Sequence, residues 1–151
     1  MMEKSFQIFP IGVIKKRDQS VYIEIYEKFR DALQGLEQNS HIIVLTWFHE
    51  SDTKTKRKTL QVHPMGNKAN PLTGVFATRS PVRPNPIALF SCNVIAIEGR
   101  LIYVESIEAF DGSPVLDIKP YIPKIDSISQ AIGPRFIEPF SQEDEPLCGS
   151  S

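Results

Sequence analysis

The chain has 151 residues, of which 41% are hydrophobic and 23% are charged, a composition typical of one globular domain with a buried core. Its two cysteines, Cys92 and Cys148, exclude a disulfide framework and lack the spacing of a metal site. No segment approaches the roughly 18 consecutive apolar residues of a membrane helix, and the N-terminus lacks a signal-peptide pattern. We therefore expect a soluble cytoplasmic protein without a membrane segment and without a bound metal.

The formal net charge of −1 hides an uneven distribution of charge along the chain. Between Asp52 and Glu98 there is no acidic residue, whereas seven of the 17 Lys and Arg residues lie there: Lys54, Lys56, Arg57, Lys58, Lys68, Arg79 and Arg83. Such a local positive field favours a polyanionic partner, of which nucleic acid is the commonest. A solvated basic loop with no partner is the alternative.

Short strands bounded by turn-forming residues are predicted along most of the chain. Branched and aromatic residues mark eight of them: Phe6–Ile14, Val21–Tyr26, His41–Phe48, Thr59–His63, Gly74–Ala77, Ile87–Ile97, Leu101–Phe110 and Val115–Lys119. The segment Ile25–Leu36 carries apolar residues at helical spacing and predicts one short helix. Between the later strands, Glu98–Arg100 and Asp111–Pro114 are typical of the tight turns of a meander.

These elements favour an all-β fold, mainly a small antiparallel β-barrel with one or two short helices, because closing the sheet removes exposed edges. The loose segments at 50–58 and 64–73 are expected to carry binding residues on this scaffold. Beyond Ser129 the composition changes to Gly-Pro, Glu-Pro and acidic residues. We therefore divide the chain into a barrel domain at residues 1–128 and a peripheral C-terminal segment with a flexible tail at residues 129–151.

The loop Gly74–Pro86 holds two arginines and three prolines. Proline fixes its own φ and restricts the residue before it, so this loop is stiff before any ligand binds. Arg79 and Arg83 then offer two planar guanidinium groups suited to a carboxylate or a phosphate. The loop is an anion site in outline, with an exposed proline-rich turn as the alternative.

The motifs of common enzyme classes are missing from this sequence. There is no Walker loop, GxGxxG or GxSxG motif, and the three histidines, His41, His49 and His63, offer no zinc-type pair. Asp111 and Asp117 could form a carboxylate pair, but turn capping by the first and a cross-strand ion pair of the second are the preferred roles. What remains suits catalysis by positioning rather than by acid–base groups.

Four segments together resemble one known family. They are Phe9–Ile14, Ser40–His49, the loop Gly74–Pro86 and Asp111–Pro123. In register over residues 6–126 they are similar to the TrmO/YaeB (TsaA-like) family. The resemblance implies an S-adenosylmethionine-dependent methyltransferase on a small β-barrel, acting as a homodimer, that methylates N6 of threonylcarbamoyl-adenosine beside the tRNA anticodon.

The resemblance also implies a set of site residues. The family's cofactor contacts match eight positions here: His49, Glu50, Arg79, Leu89, Glu105, Ser106, Ile107 and Glu108. We assign Arg79 the catalytic role of binding an anionic group, either the methionine carboxylate or the threonyl carboxylate of the substrate. Residues predicted to meet substrate or RNA phosphates are Lys54, Lys56, Arg57, Lys58, Lys68, Arg83 and Asn85, although the last two could instead order the loop.

Plainer roles stay open for several of these residues and for the whole chain. His49 could cap the end of a strand and face solvent, Leu89 could belong to the core, and Glu105 and Glu108 could be solvent-facing positions of a strand. A barrel that binds RNA or S-adenosylmethionine without turnover is an alternative function, as is a methyltransferase that acts on a small metabolite. Lys15–Ser20 also lacks the family's proline and glutamine segment.

Overall fold

The structure, a computed structural model, describes residues 3–138. Eight strands occur there: β1 (Gly12–Arg17), β2 (Ser20–Ile25), β3 (His41–Trp47), β4 (Gln61–Val62), β5 (Thr73–Gly74), β6 (Ile87–Glu98), β7 (Leu101–Val104) and β8 (Pro114–Pro120). Six of them close an antiparallel barrel in the order β1-β2-β7-β6-β3-β8, and β4 pairs with β5 in a separate small sheet. With two short helices, α1 (Lys54–Lys58) and α2 (Pro123–Asp126), the all-β barrel prediction is confirmed.

The barrel encloses one core because its strands alternate inward and outward side chains. In β3, Ile42, Val44 and Thr46 are buried, whereas the residues between them are only partly covered. The inward residues of all the barrel strands and of the segment after β7 make one cluster: Ile14, Ile23, Ile25, Ile42, Val44, Cys92, Ile102, Val104, Ile107, Ala109 and Val115. Burial raises the pKa of the Cys92 thiol to about 11, so this cysteine is a core residue rather than a nucleophile.

Two glycines are required by the backbone geometry of the barrel. A Cβ at Gly12 would collide with the main-chain carbonyl oxygen of Glu24 on the paired strand β2, so only glycine allows this approach. Gly99 adopts φ +59° in the two-residue turn that joins β6 to β7. That turn lies where the sequence predicted a hairpin.

The N-terminal part differs from the prediction in two places. The first strand begins at Gly12 rather than at Phe6, because only Ile11 of the preceding segment joins the ladder, through its N–H to the carbonyl oxygen of Val115 at 2.8 Å. The predicted helix at 25–36 is instead a pair of 3₁₀ turns, Glu27–Leu33 and Leu36–Gln38. Gly35, at φ 90°, separates them and stops a continuous helix.

Three further segments were placed in the wrong class of structure. Lys54–Lys58 lies in a predicted loop but forms α1, because Thr53 Oγ1 caps it by accepting the Lys56 N–H at 3.2 Å. The strand predicted for Leu101–Phe110 ends at Val104, and the one predicted for Gly74–Ala77 is a 3₁₀ turn from Val75 onward. Within residues 3–138, neither helix has the length and apolar character needed to span a membrane.

Asp111 joins the last tight turn to the first hairpin. Its Oδ1 accepts the Lys16 N–H at 2.8 Å and a guanidinium N–H of Arg17 at 2.8 Å. The backbone hydrogen bond is the main cause that lowers the pKa of the Asp111 carboxyl, and Arg17 adds to it. Asp111 therefore bridges distant segments instead of capping its own turn, as the sequence had predicted.

The ion pair predicted for Asp117 also differs. Asp117 pairs with Lys119 of its own strand at 2.9 Å rather than with a residue of a neighbouring strand.

Candidate active site

The proline-rich loop is held in shape by its own side chains. The hydroxyl of Thr78 accepts the Ser80 N–H at 3.2 Å, and the Ser80 hydroxyl accepts the Val82 N–H at 3.1 Å. Arg83 turns back into the loop and donates to the carbonyl oxygens of Val75, Thr78 and Ser80 at 3.1–3.3 Å. Of the two roles open for Arg83, ordering of the loop is the one that these contacts favour.

A second arginine ties the same loop to the segment after β3. The Arg57 guanidinium donates to the carbonyl oxygen of Pro84 at 2.8 Å and to Oδ1 of Asn85 at 3.3 Å. It also pairs with Asp52 at 3.3 Å and lies 5.7 Å from the centre of the Trp47 ring. Because these partners occupy its donors, Arg57 and Asn85 act on loop geometry, and contact with substrate by either stays a prediction.

Arg79 differs from both of these arginines. It is exposed, and within residues 3–138 it makes no side-chain hydrogen bond and no ion pair. It lines a cleft of about 820 Å³, together with Glu108 from the segment that precedes the Asp111 turn. A guanidinium without a protein partner on a stiff loop is suited to an anionic ligand.

A smaller cavity of about 120 Å³ adjoins this cleft. His49 and Glu50, which follow β3, line it together with the buried Thr46. Pro81 and Glu108 line both spaces, so the cavity and the cleft share a wall. The structure thus brings together four of the eight predicted cofactor contacts, His49, Glu50, Arg79 and Glu108.

The other four predicted cofactor contacts lie elsewhere. Leu89 is 43% exposed on the outer face of β6, and Ile107 is buried in the barrel core. Glu105 accepts a hydrogen bond from Asn93 at 2.8 Å and lines a separate surface cavity. Ser106 is exposed and lines none of these spaces. A cofactor role for these four is therefore not supported within one protomer and stays a prediction.

The predicted phosphate-binding lysines lie on the surface near the site. Lys54, Lys56 and Lys58 belong to α1, and all three are exposed, as is Lys68. The Lys56 ammonium donates to the carbonyl oxygen of Glu50 at 3.3 Å, which links the basic helix to the rim of the smaller cavity. Contact of these lysines with RNA phosphates stays a prediction.

Several cleft residues were missed from the sequence. His63, Phe76 and the C-terminal residues Pro134, Phe136 and Glu138 also line the large cleft. The last three fall in the segment predicted to be peripheral, and no local pattern links them to Arg79. Their role depends on a long-range contact with the loop at 64–73. The part of that predicted tail from residue 139 onward lies outside the described residues.

Comparison with known proteins identifies the family. The family model for the tRNA-methyltransferase O N-terminal domain matches residues 3–127, most of the chain. The chain belongs to this family. The TrmO/YaeB resemblance seen in the sequence is confirmed.

Individual relatives agree with the family match. The chain is 48% identical over 126 residues to a probable S-adenosyl-L-methionine-binding protein of Pyrococcus horikoshii, covering 83% of this chain and 90% of the relative. It is 42% identical over 110 residues to the human tRNA (adenine(37)-N6)-methyltransferase, covering 73% of this chain and 24% of the human protein.

A solved structure resembles the fold. The crystal structure of TrmO from Pseudomonas aeruginosa superposes with a TM-score of 0.67 at 28% sequence identity, over 86% of this chain. The superposed region spans 62% of that solved chain.

Proposed function

We propose that this protein is an S-adenosylmethionine-dependent methyltransferase that acts on N6 of threonylcarbamoyl-adenosine next to the tRNA anticodon. Its relatives are named as S-adenosylmethionine-binding proteins and as tRNA (adenine(37)-N6)-methyltransferases. The structural observation that carries the proposal is that His49 and Glu50 line a cavity next to the cleft lined by Arg79, with Glu108 lining both.

The charges of this site fit the methyl donor. S-adenosylmethionine carries a sulfonium, an ammonium and a carboxylate. The site offers the complementary set, since Glu50 and Glu108 are carboxylates and Arg79 is a cation without a protein partner in the described residues. When bound, the cofactor would supply a methyl group to N6; the carbon–sulfur bond would break to leave the thioether, and the N6 proton would pass to water.

The chain's own residues bind and orient rather than transfer protons. Arg79 holds a carboxylate of the donor or of the threonyl group, and Arg83 keeps the Arg79 loop rigid through its three carbonyl contacts. Alignment of donor and acceptor supplies much of the rate of a displacement at carbon. The carbamoyl group also makes the N6 proton easier to lose, so a strong protein base is not required. A rate governed by one group of near-neutral pKa would contradict this last point.

The exposed lysines of α1 are proposed to contact tRNA phosphates. Removing one lysine–phosphate interaction should flatten the dependence of log affinity on log salt by about 0.7–0.9. We expect Lys54→Gln with Lys58→Gln to reduce the slope, whereas Lys124→Gln on α2, also exposed, serves as the control. Equal slopes for wild type and both variants would favour a small metabolite as the methyl acceptor.

The decisive experiment is methyl transfer to tRNA that carries the threonylcarbamoyl group, with unmodified tRNA as control. Mass analysis of the released nucleosides should detect methylated threonylcarbamoyl-adenosine in the first sample only. Binding of S-adenosylmethionine without any product would instead support a non-catalytic binding barrel or another substrate.

We also propose a homodimer and a cytoplasmic location. The outer face of β6 exposes Ile87, Leu89 and Ile95, of which Ile95 is 66% exposed, with the polar Ser91 and Asn93 between the last two, and a second copy would cover these apolar side chains. Light scattering of the purified protein tests the dimer, and a monomeric mass at micromolar concentration would refute it.

A further inference from the structure

Residues 134–138 fold back onto the loop that contains Asn70, and we call them the C-terminal strap. The strap lies beyond residue 127, where the match to the family ends. The Ile137 N–H donates to Oδ1 of Asn70 at 2.7 Å, and Nδ2 of Asn70 donates to the carbonyl oxygen of Ile137 at 2.7 Å. A side-chain amide thus pairs with the strap through the same two bonds that a neighbouring β-strand would make.

Asn70 is itself fixed in position. It is 3% exposed, and its Nδ2 also donates to the carbonyl oxygen of Pro64 at 2.8 Å. Its main-chain carbonyl oxygen accepts a hydrogen bond from Nδ1 of His63 at 2.9 Å. A second contact reinforces the pairing, since Nδ2 of Asn67 donates to the carbonyl oxygen of Glu138 at 3.3 Å. The strap is therefore held mainly by a buried and fully paired amide, with one surface hydrogen bond from Asn67 beside it.

The strap brings an aromatic side chain to the cleft that Arg79 lines. Phe136 is half-buried there, and Phe76 from the proline-rich loop lines the same cleft while 82% exposed. Among the described residues, neither ring stacks on another aromatic ring. Two unstacked aromatic rings in a cleft with a cation offer a surface for a flat base beside a site for an anionic group.

We infer that the strap is a wall of the ligand site, that Asn70 is the positioning residue that holds it, and that Phe136 and Phe76 contact a purine base. The inference rests on the proposed function, in which both the methyl donor and the target nucleotide contain adenine. Stacking on an aromatic ring requires only a flat π-surface, so either adenine satisfies it. If the base is that of the methyl donor, the affinity for the donor should depend on Phe136; if it is that of the target nucleotide, the KM for tRNA should depend on Phe136.

The first test compares Phe136→Ala with Phe136→Tyr, which keeps the aromatic ring. Ile132→Ala is the matched control, because Ile132 is 95% exposed and does not line the cleft. Calorimetry gives the Kd of S-adenosylhomocysteine, and methyl transfer gives kcat and KM for modified tRNA. We expect Phe136→Ala to raise one constant about ten-fold or more. A raised Kd identifies the cofactor base, and a raised KM identifies the target base.

The other variants should stay close to wild type. Phe136→Tyr should retain most of the affinity, and Ile132→Ala should change neither constant. If Phe136→Ala also leaves both constants unchanged, the inference is wrong.

The second test asks whether Asn70 acts through the strap. Asn70→Ala should raise the same constant as Phe136→Ala, and the double variant should be no worse than the more impaired single variant, because both changes remove the same wall. Asn70→Asp keeps the acceptor for the Ile137 N–H but loses the donor to the carbonyl oxygens of Pro64 and Ile137, so it should raise the same constant, and it serves if the alanine variant does not fold. A loss of thermal stability in both Asn70 variants without any change in Kd or KM would show a merely structural role and overturn the assignment.

The outcomes separate this inference from the proposed function. Wild-type protein that neither binds S-adenosylhomocysteine nor methylates tRNA refutes the proposed function and the strap inference with it. Active wild-type protein whose Phe136 and Asn70 variants behave as wild type refutes the strap inference alone.

Discussion

Arg79 and Arg83 lie four residues apart on one loop, yet Arg83→Met should mainly lower stability, whereas Arg79→Met should mainly lower activity. Arg83 makes three hydrogen bonds to main-chain carbonyl oxygens at 3.1–3.3 Å, and it is half-buried. Hydrogen bonds of this length and exposure contribute about 1 kcal/mol each, so Arg83→Met should lower the free energy of unfolding by about 2–3 kcal/mol. In a protein of this size that corresponds to a fall in Tm of about 5–10 °C.

Arg79 has no such partners among residues 3–138. Replacing an exposed side chain of this kind should change the free energy of unfolding by less than about 0.5 kcal/mol. A charge-assisted contact with a ligand carboxylate is worth about 1.5–3 kcal/mol, so Arg79→Met should lower kcat/KM about 10–150-fold. Arg79→Lys keeps the charge but loses the planar fork, and it should recover only part of this loss.

The assays are thermal and urea denaturation beside methyl-transfer kinetics, with the wild type and both methionine variants measured together. Arg83→Met should lose stability first and activity as a consequence of the loosened loop. Unchanged turnover in Arg79→Met would remove Arg79 from the site. Equal destabilisation by the two variants would refute the division of roles that we draw from their contacts.

Three further predictions concern the barrel. The main-chain hydrogen bond from β1 lowers the folded-state pKa of Asp111, so the ionised carboxylate stabilises the fold above its ordinary pKa of 3.8, and this stabilisation is lost as pH falls through the lowered pKa. The urea midpoint of the wild type should therefore fall in acid more than that of Asp111→Asn. Parallel dependence of the two midpoints on pH would contradict this role of Asp111. Gly12→Ala should lower the free energy of unfolding by about 3 kcal/mol, because the new Cβ clashes with main chain. Gly74→Ala, whose new Cβ would meet no atom within 4 Å, should change the same free energy only slightly in the same urea assay. In a Cys148→Ser background, the raised pKa and burial of Cys92 should keep the remaining thiol unreactive at pH 8 until the protein unfolds, and rapid labelling of the folded protein would contradict its place in the core.

The barrel could be predicted from the sequence because its signal is local and repeated. Strand β3 alternates buried Ile42, Val44 and Thr46 with less buried residues, and the same period-two pattern marks β6. The turn at Gly99 followed from a local glycine signal as well. The predicted helix at 25–36 was wrong because helical spacing of apolar residues does not distinguish an α-helix from successive 3₁₀ turns separated by a left-handed Gly35.

The importance of the proline-rich loop also came from local chemistry, since prolines and arginines can be counted along a chain. Local chemistry could not assign the arginines, however. Arg57, Arg79 and Arg83 have the same guanidinium and lie in the same acid-free stretch, yet two of them are engaged by main-chain carbonyl oxygens and one faces the cleft. Which arginine stays free depends on carbonyl groups that the fold brings within reach, as when Pro84 meets Arg57.

The sequence by itself therefore determined the strand pattern, the stiff loop, the basic stretch and the family. The family resemblance also grouped His49, Glu50 and Glu108 with Arg79, but only the tertiary structure showed that they line two adjoining spaces and that residues of the segment 134–138 line the larger one. These contacts join segments that are distant along the chain, such as Asn70 and Ile137, which are 67 residues apart. Closure of the barrel and burial of one asparagine amide set such distances, and neither leaves a periodic trace in the sequence.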